Sequence, residues 1–109
     1  MQQSEILINN LNAYRHALKI INYKISKCKE RYVYYHTDNK HKLLVLARYI
    51  INNMRAEDFD AKKCSDMIEE IENNDKLINA IETELSTFEN QRADYAENIK
   101  CIEEYLCLR

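Results

Sequence analysis

The residues best suited to metal chemistry form one short polar run, His36–His41, with the sequence HTDNKH. Two imidazoles and a carboxylate are ligands that zinc or another divalent ion accepts. Only these three ligands are local, and the neighbouring Lys40 and Lys42 repel a cation. We therefore interpret the run as a polar turn and predict no metal site.

The cysteines do not form a recognisable catalytic or redox motif. Cys28, Cys64, Cys101 and Cys107 are widely spaced, and no CxxC pair is present. A cysteine nucleophile needs a nearby base, yet no histidine follows residue 41. A di-iron site is not encoded either, because no Glu is followed three residues later by His. We therefore predict a protein that is not an enzyme and has no catalytic residue and no cofactor.

A basic segment rich in tyrosine is the candidate for nucleic-acid binding. Lysine and arginine neutralise phosphates, and tyrosine rings stack on unpaired bases. Within residues 15–48 the candidate contacts are Lys24, Lys27, Lys29, Arg31, Tyr34, Tyr35, Lys40 and Lys42. The same residues are also candidates for binding a protein partner.

The second half of the chain is acidic, and two further interpretations follow from it. Residues 1–55 hold ten Lys/Arg and three Asp/Glu, whereas residues 56–109 hold six and fifteen. A basic helix beside an acidic helix would account for both charge runs by internal or subunit pairing, which we favour. Alternatively, acidic residues on a rigid helix could imitate the phosphates of a nucleic acid. The candidate acidic face consists of Glu69, Glu72, Glu82, Glu84 and Glu89.

Composition restricts the fold to helices. The 109 residues include no Gly and no Pro, which tight turns and strand ends usually require. No segment approaches the roughly 20 apolar residues that cross a bilayer, and the first residues lack the features of a signal peptide. We expect one cytoplasmic, all-α domain spanning residues 1–109 without membrane contact. The abundance of Ile, Asn, Lys and Tyr suggests an AT-rich source, such as a phage.

Apolar residues repeat every three or four positions in three runs, which is the spacing of coiled-coil-like packing. The first run is Leu7, Leu11, Tyr14, Leu18, Ile21, Ile25, Cys28, Tyr32 and Tyr35. The second is Leu43, Ala47, Ile50, Met54, Glu57, Ala61, Cys64, Ile68 and Ile71. The third is Ile78, Ile81, Leu85, Phe88, Arg92, Tyr95, Ile99, Ile102 and Leu106.

Two turns divide these runs, and a third position is a candidate kink. Asp and Asn favour turns and helix caps, which predicts breaks at residues 36–39 and 73–75. Residues 58–60 could form a kink or a helix restart. The expected fold is an elongated up-down-up bundle of three helices, at about residues 4–36, 40–73 and 75–107.

The third run also supports a different architecture. Its phase extends backwards through Asn74, Ile71, Met67 and Cys64, so the turn at 73–75 need not exist. Residues 60–107 would then form one helix of roughly 70 Å. Such a helix would be too long for its own chain to cover, and the protein would form an antiparallel coiled-coil homodimer.

Of the polar residues on the predicted rows, Arg92 and Asn74 could set helix register or oligomeric state. Arg92 lies between Phe88 and Tyr95, and Asn74 lies on the extended phase of the third run. Polar residues at such positions specify partners at a cost in stability. We predict a small module that binds a protein partner as an adaptor, regulator or inhibitor, in one form a phage protein acting on a host or defence protein. Nucleic-acid binding through residues 15–48 is the alternative, and acidic mimicry through the third helix is a second alternative.

Overall fold

The computed structural model describes residues 2–55, 57 and 59–107, and helix accounts for nearly all of them. Helix α1 spans Gln2–Asn53 with 52 residues, and helix α2 spans Ala61–Cys107 with 47 residues. The predicted all-α class is confirmed. The predicted three-helix bundle is wrong, because two long helices take the place of three shorter ones.

The connection between the helices lies where the sequence allowed only a kink or a restart. The backbone N–H of Lys63 donates to Asp60 Oδ1 at 3.1 Å, and that of Cys64 donates to the Asp60 carbonyl at 3.3 Å. Asp60 is therefore the N-cap of α2. The Tyr49 hydroxyl also accepts the backbone N–H of Asp60 at 3.1 Å. The predicted restart is confirmed here, although Asp58 lies outside the described residues.

Both predicted turns are wrong, since residues 36–39 lie within α1 and residues 73–75 lie within α2. Asp and Asn break helices when their side chains bond to their own backbone. Here the side chains of Asp38, Asn39 and Asn74 form hydrogen bonds with the other helix instead. The backbone therefore continues as helix through both segments.

The chain forms two compact units. Unit 1 combines residues 2–29 of α1 with residues 84–107 of α2, and unit 2 comprises residues 30–83. In unit 1, Tyr14 meets Tyr95 with ring centroids 6.0 Å apart, and Lys24 lies 5.6 Å from the centroid of the Phe88 ring. Later residues of α1 thus meet earlier residues of α2, so these two segments are antiparallel.

The core of unit 1 follows the predicted first and third runs. The most buried side chains of its α1 segment are Leu11, Ile21, Ile25 and Cys28. The α2 segment contributes half-buried residues at the predicted spacing, namely Leu85, Phe88, Arg92, Tyr95, Ile99, Ile102 and Leu106. Cys28 and the aliphatic side chains therefore lie where the apolar spacing placed them.

Unit 2 is also an antiparallel pair of helical segments, and its buried row on α1 differs from the predicted one. Leu46, Cys64 and Ile71 form a buried cluster with Tyr49, Phe59 and Met67 packed against it. Ile78 and Ile81 extend the buried row of α2. After Asp38 the buried or half-buried positions of α1 are Asn39, Lys42, Leu46, Tyr49 and Asn53, whereas Leu43, Ala47 and Ile50 are exposed, as is Met54 directly after the helix.

The predicted buried row of α1 in unit 2 is offset by one residue from the observed row, and this error has a physical cause. The row that begins at Leu7 continues past Tyr35 at the same spacing, but its next members are the polar Asn39 and Lys42. Because Asn39 and Lys42 are polar, the apolar spacing did not identify the buried row here. The apolar residues one position later, such as Leu43 and Ala47, were interpreted as core instead. On α2 the row through Cys64, Met67, Ile71 and Asn74 is confirmed, whereas Ile68 is exposed.

The alternative architecture is partly confirmed. One helix does cover almost all of residues 60–107, beginning at Ala61. The reason given for dimerisation does not hold, however, because α1 covers the buried row of α2 within each unit. Neither helix is both long enough and apolar enough, over its described residues, to span a membrane.

Candidate functional site

A polar layer interrupts the apolar core of unit 2, and two buried asparagines form its centre. Asn39 and Asn74 are only 5% and 8% exposed, one on each helix. Asn39 Nδ2 donates to Asp75 Oδ1 at 2.9 Å and to the Ile71 carbonyl at 3.3 Å. Asn74 Nδ2 donates to Asp38 Oδ2 at 2.8 Å. Each buried amide is therefore held by a carboxylate from the opposite helix.

Lys42 completes the polar layer at its edge. Its ammonium lies 2.9 Å from Asp38 Oδ2 and 3.6 Å from Glu70 Oε2. The hydrogen bonds that Asp38 accepts from Lys42 and Asn74 lower the pKa of its carboxyl group. The same hydrogen bond to Asp38 raises the pKa of Lys42. Lys42 was predicted to contact a partner, but here it contacts carboxylates of its own unit.

One acceptor in the layer has no partner. Asn39 Oδ1 is buried, and no hydrogen-bond donor within the described structure reaches it. Such an atom costs free energy comparable to a lost hydrogen bond. The arrangement does not resemble a metal site, because no cluster of three His, Cys, Asp or Glu ligands occurs among the described residues. The Lys42 ammonium already lies beside Asp38 and Glu70.

The predicted polar run and the cysteines are placed on helices. The ring of His36 lies 4.6 Å from that of Tyr32, one helical turn away, and His41 is exposed. Cys28 and Cys64 are buried, whereas Cys101 and Cys107 are exposed.

The basic candidates are divided between the units. In unit 1, Lys24 lies over Phe88 and the Lys27 ammonium lies 5.4 Å from the centroid of the Tyr23 ring. Lys29, Arg31 and Lys40 are exposed. Tyr34 is exposed and meets half-buried Tyr35 edge-on, with ring centroids 5.2 Å apart. Whether these residues contact a nucleic acid or a protein partner stays a prediction.

Charge pairing between the helices occurs in both units. Arg15 forms an ion pair with Glu103 at 3.0 Å in unit 1, and Lys42 approaches Glu70 in unit 2. Exposed pairs of this kind stabilise a fold by about 0–1 kcal/mol. Of the predicted acidic face, unit 2 contains the exposed Glu69, Glu72 and Glu82, whereas half-buried Glu84 and Glu89 belong to unit 1.

The two predicted register residues lie on buried rows, in different units. Arg92 is half-buried in unit 1, between Phe88 and Tyr95 on the row. Asn74 is buried in unit 2. Their positions on the rows are confirmed, whereas a role in register or oligomeric state stays a prediction.

A surface that the sequence did not identify lies on α1 of unit 2. It is a stripe of exposed apolar side chains, namely Leu43, Ala47 and Ile50 on α1 and Met54 directly after its end, here called the α1 stripe. Leu43, Ile50 and Met54 are 51%, 37% and 63% exposed. The neighbouring Leu44 and Ile51 are exposed as well. The sequence shows the repeat clearly, but its exposure follows only once the buried row is known.

The charge beside the stripe has one sign. Residues 40–55 contain no Asp or Glu, and they include Lys40, Lys42, Arg48 and Arg55. Apolar side chains with a basic border are suited to an amphipathic, acidic surface. Comparison of the chain with protein-family models, curated proteins and solved structures finds no match.

Proposed function

We propose that the protein is a small, non-catalytic interaction module that binds a helical, acid-bearing protein surface through the α1 stripe. The observation that carries the proposal is the exposure, at coiled-coil spacing, of Leu43 and Ile50 on a helix that already buries another row, and of Met54 directly after that helix. Such contiguous apolar patches mark interaction sites. An adaptor, regulator or inhibitor would use this surface to form a complex of fixed stoichiometry.

The geometry of the stripe favours a helix as the partner. Leu43, Ala47, Ile50 and Met54 are spaced by four, three and four residues. This spacing produces knobs that fit between the side chains of another helix. Ala47 leaves a gap between larger neighbours, into which a partner side chain fits. Lys40 adds attraction for carboxylates at the border of the contact.

The experiment is affinity selection from the source cells with matched surface variants. The wild-type chain, the Ile50→Glu variant and the Leu77→Glu variant are immobilised at equal density. Leu77 is the control because it is an exposed aliphatic residue of unit 2 on α2. We expect a partner that is retained by wild type and L77E and lost with I50E.

The partner is then purified and titrated against the module. A saturating molar ratio with I50E weakening the affinity at least about tenfold supports the proposal. A partner that binds I50E as tightly as wild type overturns it, and so does the absence of any stripe-dependent partner.

Nucleic-acid binding is the second candidate, and one observation in unit 1 favours it. Tyr23 is a highly exposed aromatic side chain that lies beside Lys27, with Lys24 one position further along α1. An exposed ring next to basic residues is the combination that stacks on unpaired bases. Anisotropy of labelled single- and double-stranded oligonucleotides at about 50 and 200 mM salt tests this candidate. Binding that falls steeply with salt and weakens in Tyr23→Ala supports it, whereas no binding at low salt contradicts it.

A further inference from the structure

The polar contacts of unit 2 distinguish its two open sides. Asp75 directly follows the buried residue Asn74 and contacts Asn39. Asp38 directly precedes the buried residue Asn39 and contacts Asn74, and Glu70 directly precedes Ile71 and contacts Lys42. In this antiparallel pair, the residues that directly follow buried-row residues lie on one side of the unit, here called the first side. The residues that directly precede buried-row residues lie on the opposite side, here called the second side.

The first side therefore combines the α1 stripe with a row on α2. On the α1 part of the first side, each residue comes directly after a residue of the buried row; these residues are Lys40, Leu43, Ala47, Ile50 and Met54. On α2 the same position is held by Ala61, Ser65, Ile68, Glu72 and Asp75, here called the α2 row. All members of the α2 row are exposed, and Ile68 is 44% exposed.

The two rows are complementary in side-chain size and in charge. The stripe offers the bulky Leu43 and Ile50 with the small Ala47 between them. The α2 row offers the small Ala61 and Ser65 with the bulky Ile68 beyond them. Ile50 thus meets the small Ala61 and Ser65, and Ile68 packs against Leu43 and the small Ala47.

The levels of the residues along the unit match as well. Asn39 lies level with Ile71 and Asp75, and Tyr49 lies level with Phe59, because they are in contact. Counting along each helix places Lys40 level with Glu72, and Ala47 level with Ser65 and Ile68. A two-fold axis parallel to the helices preserves these levels when it brings two units face to face.

We infer that the α1 stripe is covered by the α2 row of a second copy of this chain. Two copies of unit 2 meet on their first sides, with the α1 stripe of each copy against the α2 row of the other. The contact is isologous, so every pairing occurs twice. Leu43, Ala47 and Ile50 pack against Ala61, Ser65 and Ile68, and Lys40 meets Glu72. The inference rests on the proposed function, since it names the occupant of the same stripe.

Charge supports a second copy over an unrelated apolar partner. On the first side, α1 presents Lys40 and no acidic residue between positions 40 and 55, whereas the α2 row ends in the acidic Glu72 and Asp75. The chain therefore supplies both the basic, apolar surface and the acid-bearing helix that complements it. If stripe met stripe, no acidic residue would face Lys40, because residues 40–55 contain none.

The test is the mass of the purified full chain in solution, measured by light scattering and by sedimentation across a concentration series. Twice the chain mass of 13.1 kDa is expected. Ile68→Lys should weaken the dimer by at least about tenfold, because it places a charge in the apolar contact. Leu77→Lys should leave the dimer unchanged. Leu77 is 42% exposed on the same helix, but it directly precedes the buried Ile78 and lies on the second side.

A charge exchange provides an independent readout. Lys40→Glu alone and Glu72→Lys alone should each weaken the dimer, and the double variant should restore it. Helicity measured by circular dichroism verifies that each variant is folded. Restoration in the double variant cannot be explained by general destabilisation.

Other outcomes would refute the inferred dimer, the proposed function or both. A monomer at every concentration overturns the inference, and so does a dimer that L77K weakens and I68K does not. A monomer that still binds another protein through Ile50 refutes the second copy and leaves the proposed function intact. A monomer with no stripe-dependent partner refutes both.

Discussion

The amide of Asn39 and the carboxylate of Asp75 are joined by a 2.9 Å hydrogen bond between the two helices of unit 2. Both residues belong to segments whose composition is typical of turns. Within the helices, however, their side chains bond across the interface, and the backbone has no reason to break. The polar layer therefore sets the level at which α1 and α2 meet in this unit.

Leu46→Ala should destabilise the protein much more than Leu43→Ala. Leu46 is buried against Cys64 and Ile71, whereas Leu43 is exposed. Truncating a buried leucine costs about 2–5 kcal/mol. Truncating the exposed one costs about 0.5 kcal/mol or less, as is usual at surface sites. Urea unfolding at low protein concentration separates these effects from any contribution of dimerisation. Equal losses would contradict the observed phase of the buried row.

Replacing both buried asparagines in Asn39→Leu with Asn74→Leu should stabilise the fold. The change removes the unpartnered Asn39 Oδ1 and adds apolar burial, while Asp38 keeps its contact with Lys42. We expect the free energy of unfolding to rise by about 1–3 kcal/mol. The exposed Asn73→Leu is the matched control and should change it by about 0.5 kcal/mol or less. A loss of stability in the double variant would show that the polar layer contributes more than its burial costs.

The stability contributed by the Asp38–Lys42 pair should depend on pH at both extremes. The folded-state pKa of Asp38 is lowered from 3.8, so its contribution is present above pH 3.8 and is lost as the pH falls through the folded value. The folded-state pKa of Lys42 is raised from 10.5, so its contribution is present below pH 10.5 and is lost as the pH rises through the folded value.

The difference in unfolding free energy between wild type and Asp38→Asn measures this effect. It should stay constant across neutral pH and shrink below pH 3.8 and above pH 10.5. Chemical unfolding at a series of pH values gives the profile. A difference that does not change at acidic pH would mean that the carboxylate is not held by Lys42 and Asn74 in solution.

Removing the cap of α2 should destabilise the helix start. Asp60 accepts the backbone N–H of Lys63, and Asp60→Ala leaves that donor without its partner. The expected loss is about 1 kcal/mol. Asp66→Ala serves as the control because Asp66 is exposed within the helix. Thermal unfolding of both variants decides the point, and an unchanged midpoint for D60A would contradict the assigned helix boundary.

The sequence predicted an all-helical fold and much of the buried row, but neither the number of helices nor the point where the chain reverses. Apolar spacing identified the row from Leu7 to Tyr35 and the row from Ile78 to Leu106, because aliphatic and aromatic residues occupy nearly all of their positions. It failed at Asn39 and Lys42, where polar side chains occupy the row. Cross-helix hydrogen bonds decide the structure there, and a single helix considered alone does not reveal them.

The candidate surface was missed for the same reason. The apolar repeat at Leu43, Ala47, Ile50 and Met54 was interpreted as core, since spacing alone does not distinguish a buried row from an exposed one. Only the contacts of Leu46 with Cys64 and Ile71 establish that the neighbouring row is buried. The predicted basic and acidic candidates depended on residue type alone, and a sequence does not show that Lys42 contacts Asp38 on its own helix and Glu70 on the other.

A disulfide between copies should report the register of the proposed dimer. Ala47→Cys and Ser65→Cys are introduced separately, each in a chain whose exposed Cys101 and Cys107 are changed to serine. Mixed and oxidised, the two proteins should form a cross-linked pair, because the inferred contact brings residue 47 of one copy to residue 65 of the other. Asp66→Cys replaces Ser65→Cys in the control. Asp66 is exposed on the same helix but directly precedes the buried row at Met67, on the opposite side of the unit. Cross-linking that is equally efficient with residue 66, or absent with residue 65, would contradict the register.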